Sequence, residues 1–481
     1  MIDIRPVLFV NGFLLMVLAA AMGIPAAADF ASGESDWQVF LASGLLTGFF
    51  GAALAFGSRQ EGRLTLATRQ AFLLTVSAWV LSAACGALPF MFSKLDLGLA
   101  DGVFEAMSGL TTTGATVIVG LDHAPRGLLL WRALLQWLGG GGIIVMAVSI
   151  LPLLRIGGMQ LFKMETSDKS ERIRPRTSQV ATTVTAVYVG FTLLSGLAFW
   201  LAGMSVFEAA CHAMAALSTG GFSTSDASLG HWGEAAQWVA VASMLVGGST
   251  FTLYVAPWKH GLRVLDDSQA RWYLLFLGAF STLLALWLWA MNGMAADEAV
   301  RHGAFAVVST VTATGFYTAA WMDWGGFAQV MFFILVFIGG CTGSTSGGIK
   351  IFRWEVLFNV AGVHLRRLLH PHGVFVINFN RQPISEQVMR SVLGFVVMYF
   401  LTFAGFTVLL AMVGLDLVTA LSGSAAALAN AGPGLGEIIA PGGSYLPLPD
   451  AAKWVLAFEM MLGRLELFGV FVLLGRSFWR E

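Results

Sequence analysis

Charged residues are scarce in this chain. Asp, Glu, Lys and Arg make up only 11% of its 481 residues, whereas about a quarter of the residues of a soluble globular protein are charged. Hydrophobic residues make up 57%, and the mean hydropathy is +0.76. These proportions indicate an integral membrane protein. The net charge of −1 also argues against a nucleic acid partner, because binding to phosphates requires a dense basic surface.

Cysteine is rare as well. Cys85, Cys211 and Cys341 lie in apolar stretches without paired spacing, so we interpret them as packed small side chains and predict neither a disulfide nor a metal site from them. At the N-terminus, Arg5 and the apolar run after it are compatible with a cleaved secretory signal. We favour an uncleaved first span, because a second span follows and the pair gives a consistent topology.

Long apolar runs are abundant. A helix needs about 20 apolar residues to cross the hydrocarbon core of a bilayer. Ten segments meet this requirement, the eighth with an interruption: 7–29, 37–57, 69–92, 131–154, 178–202, 235–258, 272–292, 327–366, 389–413 and 452–477.

Lys and Arg accumulate in alternate loops, which orients the spans because basic loops remain in the cytoplasm. These residues are Arg59, Arg63, Arg69, Arg155, Lys163, Lys169, Arg172, Arg174, Arg176, Lys259, Arg263, Arg271, Arg366, Arg367, Arg381, Arg390, Arg476 and Arg480. We therefore expect both termini and these loops on the cytoplasmic side. The segment from Lys163 to Arg176 is most simply a determinant of topology, and docking onto an anionic partner or lipid headgroups is the alternative.

A short motif recurs four times in the loops on the opposite side. Its copies span residues 106–114, 213–221, 307–315 and 424–432; the last is the most divergent, and each ends in glycine. Each copy lies between two spans, in an apolar stretch that is too short to cross the membrane. Such stretches are candidate re-entrant helices, and their recurrence indicates an internal repeat.

The repeated motif has the chemistry of a cation filter. A dehydrated alkali cation needs a cage of oxygen atoms, which four loops around one axis can supply with backbone carbonyls. Glycine permits the positive φ values that turn successive carbonyls towards that axis, and the C-terminal ends of the short helices favour a cation there. We predict Thr112, Thr113, Thr219, Gly220, Ala313, Thr314, Asn430 and Ala431 as the carbonyl donors, with Gly114, Gly221, Gly315 and Gly432 setting the backbone. Helix packing through small residues would explain a single copy better, but four copies in one topological frame favour the filter.

Two further features interrupt the apolar spans. Residues 339–348 contain only Gly, Ser, Thr and Cys, and a straight helix is not expected there because each glycine costs about 1 kcal/mol relative to alanine. Arg464 lies inside the final span, where an uncompensated charge costs at least ~2.5 kcal/mol. We expect Arg464 to face a pore or a partner, for which Glu459, Glu466 and the carbonyls of 339–348 are the candidates.

These motifs together resemble a known family. Residues 136–142 (Gln-Trp-Leu-Gly-Gly-Gly-Gly), 339–350 and 463–466 (Gly-Arg-Leu-Glu), with the four filter motifs, resemble the Trk-type potassium uptake membrane subunits, the TrkH/TrkG family, over nearly the whole chain. The resemblance implies that K⁺ crosses a bacterial inner membrane by a channel-like route or by symport with another cation. It also implies a homodimer and a cytosolic nucleotide-binding regulatory subunit of the TrkA type, with no organic cofactor on this chain.

The resemblance assigns a role to the interrupted span. It implies an intramembrane loop that lies beneath the filter and acts as a movable gate. The gate residues would be Gly340, Thr342, Gly343, Ser344, Gly347, Gly348 and Lys350. We expect Arg464 to provide an electrostatic barrier that works with this gate, and a purely structural ion pair is the alternative.

Acidic residues stand near the start of the short helices: Glu105, Glu208, Asp297, Glu298 and Asp416. We interpret them as stabilising the helix N-termini, with attraction of external cations as a possible second role. His212, inside the second short helix, is interpreted as a packed side chain rather than a ligand.

The predicted fold is an all-α polytopic membrane protein. Two N-terminal transmembrane helices (1–66) precede four tandem span/pore-loop/span repeats around a pseudo-fourfold pore, at 67–160, 161–262, 263–370 and 371–481. Alternatives within transport are a sodium-coupled Ktr-type subunit and a KdpA-like subunit. A polytopic membrane enzyme would need paired His, Asp or Glu side chains on neighbouring spans, which we do not find in the sequence, and a passive scaffold would leave the fourfold motif unexplained.

Overall fold

A computed structural model describes residues 2–59, 66–149, 177–255, 266–380 and 382–480. Within these ranges the chain is mostly helical. The helices are α1 Arg5–Ser32, α2 Trp37–Gly57, α3 Thr68–Gly86, α4 Leu88–Phe92, α5 Leu99–Leu110, α6 Arg126–Ser149, α7 Thr177–Leu201, α8 Val206–Leu217, α9 Glu234–Gly248, α10 Phe251–Val255, α11 Ser268–Met291, α12 Ala296–Val311, α13 Gly326–Leu335, α14 Ile351–Leu369, α15 Glu386–Met412, α16 Leu417–Ala429, α17 Asp450–Arg464, α18 Phe468–Leu474 and α19 Arg476–Trp479. Two short strands, β1 Asn378–Phe379 and β2 Gln382–Pro383, pair antiparallel between α14 and α15.

In the described part of the chain, seven helical segments are long and apolar enough to cross a membrane. They are Arg5–Ser32, Trp37–Gly57, Thr68–Phe92, Arg126–Met146, Ala181–Leu201, Ser268–Met291 and Glu386–Met412. Each agrees with one of the predicted spans. Large apolar side chains such as Phe49, Leu193 and Leu286 are exposed on these helices. Exposed apolar surface on spanning helices fits contact with lipid, so the chain is an integral membrane protein.

The predicted span 235–258 is wrong as a continuous helix. α9 ends at Gly248 and α10 begins at Phe251. The carbonyl oxygens of Gly247 and Gly248 accept hydrogen bonds from the backbone N–H groups of Thr345 and Cys341, at 3.1 and 2.8 Å. The helix stops because a segment distant in sequence takes over these carbonyls.

The predicted span 452–477 is broken as well. α17 ends at Arg464 and α18 begins at Phe468. Between them, Glu466 and Leu467 have φ values of 57° and 56°, which lie in the left-handed region that non-glycine residues rarely adopt. A helix cannot continue through such a backbone. The predicted interruption of 327–366 is present, since α13 ends at Leu335 and α14 begins at Ile351.

The short helices α5, α8 and α16 each pack against the next helix in the chain, and a glycine of that next helix lies at the contact. A Cβ at Gly139, Gly247 or Gly463 would overlap the carbonyl oxygen of Leu110, Leu217 or Leu428, respectively. The close approach of backbone to backbone requires glycine at these positions. It sets the distance between the last turn of each short helix and the longer helix beside it.

The first and last parts of the chain also pack together. A single buried apolar cluster includes Phe104 of α5, Trp131 of α6 and Leu456 of α17. Lys453 of α17 pairs with Asp101 of α5 across 2.5 Å. These contacts pack α17, the helix that follows the short helix α16, against the short helix α5 near the start of the chain. The predicted basic segment Lys163–Arg176 lies outside the described residues.

Candidate cation site

The four short helices α5, α8, α12 and α16 end in the same backbone motif. Each is closed by a hydrogen bond that spans five residues: Thr113 N to Ser108 O, Gly220 N to Ala215 O, Thr314 N to Ser309 O, and Ala431 N to Ala426 O, at 2.8 to 2.9 Å. A second bond, spanning three residues, accompanies each of them, as in a Schellman motif. The four sequence motifs, including the divergent fourth copy, therefore fold alike.

Left-handed residues alternate along each segment after its helix. The first is Thr112, Thr219, Ala313 or Asn430, with φ values between 51° and 54°. The second is Gly114, Gly221, Gly315 or Gly432, with φ values between 80° and 86°. The first position is strained, because the left-handed region costs an L-residue roughly 1–2 kcal/mol. The surrounding structure holds this backbone at all four positions, with strain at Thr112, Thr219 and Ala313, whereas asparagine tolerates the left-handed region.

The four segments form a closed ring. A Cβ on Gly114 would overlap Gly220 O, one on Gly221 would overlap Thr314 O, one on Gly315 would overlap Ala431 O, and one on Gly432 would overlap Thr113 O. Each segment thus contacts the next one in chain order, and the fourth contacts the first. All the residues predicted for the filter lie in this ring or directly beside it.

A cavity of about 230 Å³ with both polar and apolar lining residues lies against the ring. All four ring glycines line it, together with residues of the loops on the predicted external side, among them Ser223, Asp226 and Tyr317. Asp226 is bonded to Asp122 through its backbone N–H, at 3.4 Å. A hydrogen bond from Ser225 holds the pKa of Asp122 below its ordinary value, so this carboxylate carries a negative charge close to the cavity.

The interrupted segment 336–350 packs against helix ends that precede the ring residues. The hydroxyl of Thr345 lies 3.0 Å from Leu217 O at the end of α8 and 3.1 Å from the hydroxyl of Thr219. Gly347 abuts Ala429 O at the end of α16. The loop therefore contacts the last turns of two of the four short helices.

Further hydrogen bonds hold the loop in its place. Thr342 N donates to Gln269 of α11 at 2.9 Å, and Phe251 N of α10 donates to Gly343 O at 3.2 Å. The ammonium group of Lys350 donates to Ser346 O within the loop. The remaining predicted gate residues, Gly340, Ser344 and Gly348, are part of the same buried or half-buried loop.

Arg464 approaches this loop from the end of α17. It is 3% exposed, and its Nη1 donates a 2.7 Å hydrogen bond to Thr345 O. Of the three predicted kinds of partner, a loop carbonyl is therefore the one it contacts. Its other two predicted partners bond elsewhere: Glu466 forms an ion pair with Arg353, and Glu459 accepts a hydrogen bond from Ser424 at 2.6 Å.

Most of the acidic residues stand at helix N-termini as predicted. Glu208 and Ser205 form a capping box on α8, and Asp416 accepts hydrogen bonds from Val418 N and Thr419 N at the start of α16. Bonding to Thr419 holds the pKa of Asp416 below its ordinary value. Asp297 and Glu298 lie in the first turn of α12.

The capping role predicted for Glu105 is wrong. Asp101 occupies the first turn of α5, and Glu105 follows one turn later, fully buried. Its carboxylate pairs with Arg132 of α6 at 2.8 Å. His212 is buried as predicted, and its two ring nitrogens lie 2.8 and 2.9 Å from Glu208 O and Ser223 Oγ.

Two residues next to the ring were missed from the sequence. Gln136 Nε2 donates to Gly220 O at 2.6 Å, and Arg132 Nη1 donates to Ser223 O at 2.8 Å. Both side chains belong to α6. The signal for Arg132 was its charge within a predicted span, where the cost of burial points to a partner just as it did for Arg464.

These features define a class: a polytopic helical membrane protein in which the segments after four short helices close a ring through contacts with backbone carbonyls, an arrangement suited to passing a cation. The sequence model of the TrkH family, described as a cation transport protein, matches residues 36–478. The chain belongs to this family. It is therefore a subunit of a membrane transport system and not an enzyme, as predicted.

Individual relatives agree along the full length. The chain is 44% identical over 99% of its length to the Trk system potassium uptake protein TrkI of Halomonas elongata, covering 97% of that protein. It is 36% identical to TrkH of Escherichia coli K12, with 99% of both chains covered. The crystal structure of the potassium transporter TrkH from Vibrio parahaemolyticus superposes with a TM-score of 0.92 at 34% identity, covering 100% of each chain.

Proposed function

We propose that this chain carries K⁺ into a bacterial cell through the ring formed by Gly114, Gly221, Gly315 and Gly432 and the carbonyls that precede them. The observation that supports this most is the cyclic order of contacts in the ring, in which each glycine abuts a carbonyl oxygen of the next segment. Four converging backbone segments can surround a dehydrated cation with oxygen atoms in place of its hydration shell. The four helix C-termini behind them carry partial negative charge and favour a cation.

The proposed architecture has four repeats around a pseudo-fourfold axis. The repeats would span 67–160, 161–262, 263–370 and 371–481, after two N-terminal helices in 1–66. The matching helix ends, the matching φ values and the ring contacts support this division. Each repeat would then contribute one short helix and one filter segment between two spans.

The ion preference is proposed from the family and from the donors. The named relatives are potassium uptake proteins, and the ring carbonyls belong to Thr113, Gly220, Thr314 and Ala431. The four segments differ in side chains and depart from a strict potassium-channel signature. We therefore expect K⁺ to be preferred over Na⁺, with a preference that depends on how firmly each carbonyl is held.

The loop 336–350 is proposed as the gate. It contacts the last turns of α8 and α16, whereas the cavity is lined by residues that follow these turns. Gly343 and Gly348 have φ values of 76° and 69°, so glycine is required at both turns of the loop. Arg464 would hold the loop through Thr345 O and place a positive charge below the ring, which opposes the passage of a cation.

The assembly and its orientation are proposed on the family and on charge. We expect a homodimer in the inner membrane, with both termini and the basic loops in the cytoplasm. A nucleotide-binding subunit of the TrkA type would bind on that side and control the gate. Sodium-coupled symport, as in a Ktr-type subunit, is the alternative to a channel-like route, and dependence of K⁺ uptake on external Na⁺ distinguishes the two.

The decisive experiment is growth of a potassium-uptake-deficient bacterium on low potassium. The chain, expressed with its cytosolic partner, should restore growth, and the Gly114→Ser variant should not. Absence of rescue by the unaltered chain at normal membrane abundance would overturn the proposal.

A further inference from the structure

Two buried polar side chains of α6 lie behind the ring. Arg132 and Gln136 are one helical turn apart and project from the same face, and they are 1% and 0% exposed. Burying polar groups is unfavourable unless their hydrogen bonds are made. The groups they bond therefore indicate what they hold in place.

Gln136 is anchored at two points to the second ring segment, which follows α8. Its Nε2 donates to Gly220 O at 2.6 Å, and its Oε1 accepts from Phe222 N at 3.1 Å. Gly220 O is one of the four ring carbonyls. The amide of Gln136 also fills the place that a Cβ on Gly220 would occupy. The side chain of Gln136 therefore has room only because residue 220 is a glycine.

Arg132 joins the second segment to the first. Its Nη1 donates to Ser223 O at 2.8 Å, and its guanidinium group lies 4.0 Å from the centre of the Phe222 ring. On the other side, Nη2 donates to Thr116 at 3.1 Å, and Nε pairs with Glu105 at 2.8 Å. The planar guanidinium makes all these contacts at once, which an ammonium group cannot do.

We propose that Gln136 and Arg132 are positioning residues that set the ion preference of the ring by fixing the Gly220 carbonyl and the register between the first and second segments. This inference rests on the proposed function. Neither side chain is one of the carbonyl donors predicted to contact the ion. They act through Gly220, Phe222 and Ser223, whose backbone would otherwise be free to turn away from the axis. A carbonyl that turns away changes the number of dipoles that coordinate the ion, on which the preference for K⁺ over Na⁺ depends.

The test uses the purified full-length chain reconstituted in liposomes, with flux of K⁺, Rb⁺ and Na⁺ measured separately. Gln136→Met keeps the length and volume of the side chain but removes both hydrogen bonds. Arg132→Lys keeps the charge opposite Glu105 but not the forked contacts. We expect each variant to lower the K⁺-to-Na⁺ flux ratio at least about fivefold, because each loses at least one hydrogen bond with a net value of ~1 kcal/mol.

Gln237→Met is the matched control. Gln237 is a buried glutamine on α9 that also donates to backbone carbonyls, Leu229 O and Trp232 O, but it lies outside the ring. Its variant should keep the unaltered flux ratio. The unaltered chain must itself prefer K⁺; if it does not, the proposed function fails and not the positioning role.

Three outcomes would overturn the positioning role. The first is an unchanged flux ratio in either folded variant, and the second is an equal fall in the Gln237→Met control. The third is loss of folded protein in both Gln136→Met and Arg132→Lys, because the two side chains would then stabilise the fold instead of setting the ion preference.

Discussion

The guanidinium group of Arg464 donates a 2.7 Å hydrogen bond to the carbonyl oxygen of Thr345. The two residues belong to different proposed repeats, and the bond joins the end of α17 to the loop 336–350. The same loop residue reaches Leu217 O and Thr219 with its hydroxyl. One residue thus connects a buried positive charge to the last turn of α8.

Replacing Arg464 with alanine should raise K⁺ flux in the resting state. The variant loses a hydrogen bond from a charged donor, worth about 1.5–3 kcal/mol, and it loses the positive charge below the ring. We expect at least about a tenfold increase in leak, measured as K⁺ efflux from liposomes. Arg464→Lys keeps the charge and serves as the control; equal flux in Arg464→Ala and the unaltered chain, at matched protein content, would refute the barrier.

The hydroxyl of Thr345 offers a subtler test of the gate. Thr345→Val keeps the shape of the side chain and leaves the carbonyl that Arg464 bonds, but removes the hydroxyl that reaches Leu217 O. The loss of about 1 kcal/mol of net hydrogen bonding should loosen the loop and raise leak about fivefold. Thr345→Ser retains the hydroxyl and should behave like the unaltered chain. If the Val and Ser variants leak to the same extent, the hydroxyl does not hold the gate.

The four ring segments could be located from the sequence because glycine marks them. Gly114, Gly221 and Gly315 end recognisable motifs, and the backbone does turn left-handed at each. The strained positions Thr112 and Ala313 could not be assigned in the same way, since those residue types adopt other conformations far more often. Their conformation is imposed by the helix ends and by the neighbouring segments.

The breaks in two spans were beyond sequence reasoning for a different reason. α9 stops because Gly248 O accepts a hydrogen bond from Cys341 N, and the partner lies far away in the chain. The position of Glu105 was predicted wrongly because the sequence did not fix the start of α5 to within one turn.

Gln136 belongs to a family motif, but its bond to Gly220 joins one proposed repeat to the next, and no local pattern predicts such a contact.

Comparing alanine substitutions at Gly114 and Gly120 distinguishes the effect of the ring contact from the effect of backbone strain. Gly114 and Gly120 have φ values of 84° and 81°, so alanine is strained at both by roughly 1–2 kcal/mol. A Cβ on Gly114 would overlap Gly220 O, whereas one on Gly120 meets nothing within 4 Å. Gly114→Ala should therefore abolish potassium-dependent growth, and Gly120→Ala should retain it. Growth with Gly114→Ala at normal membrane abundance would contradict the ring.

The cap of the fourth short helix should contribute stability without affecting ion preference. Asp416 accepts hydrogen bonds from Val418 N and Thr419 N, and replacing a cap with alanine costs about 1 kcal/mol. Asp416→Ala should lower the melting temperature in detergent, while Asp416→Asn, which can still accept these bonds, should nearly keep it. The K⁺-to-Na⁺ flux ratio should be the same in both.

The difference in melting temperature between the unaltered chain and Asp416→Ala should also depend on pH in a defined direction. Bonding to Thr419 lowers the pKa of Asp416 in the folded protein, so the stabilisation is fully present above the unfolded pKa of about 3.9 and is lost as the pH falls through the folded value. The melting temperatures of the unaltered chain and Asp416→Ala should differ at pH 7 and at pH 5 by the same amount, and converge only in more acidic solution. A difference that vanished already between pH 7 and pH 5 would mean that another group, and not this carboxylate, caps α16.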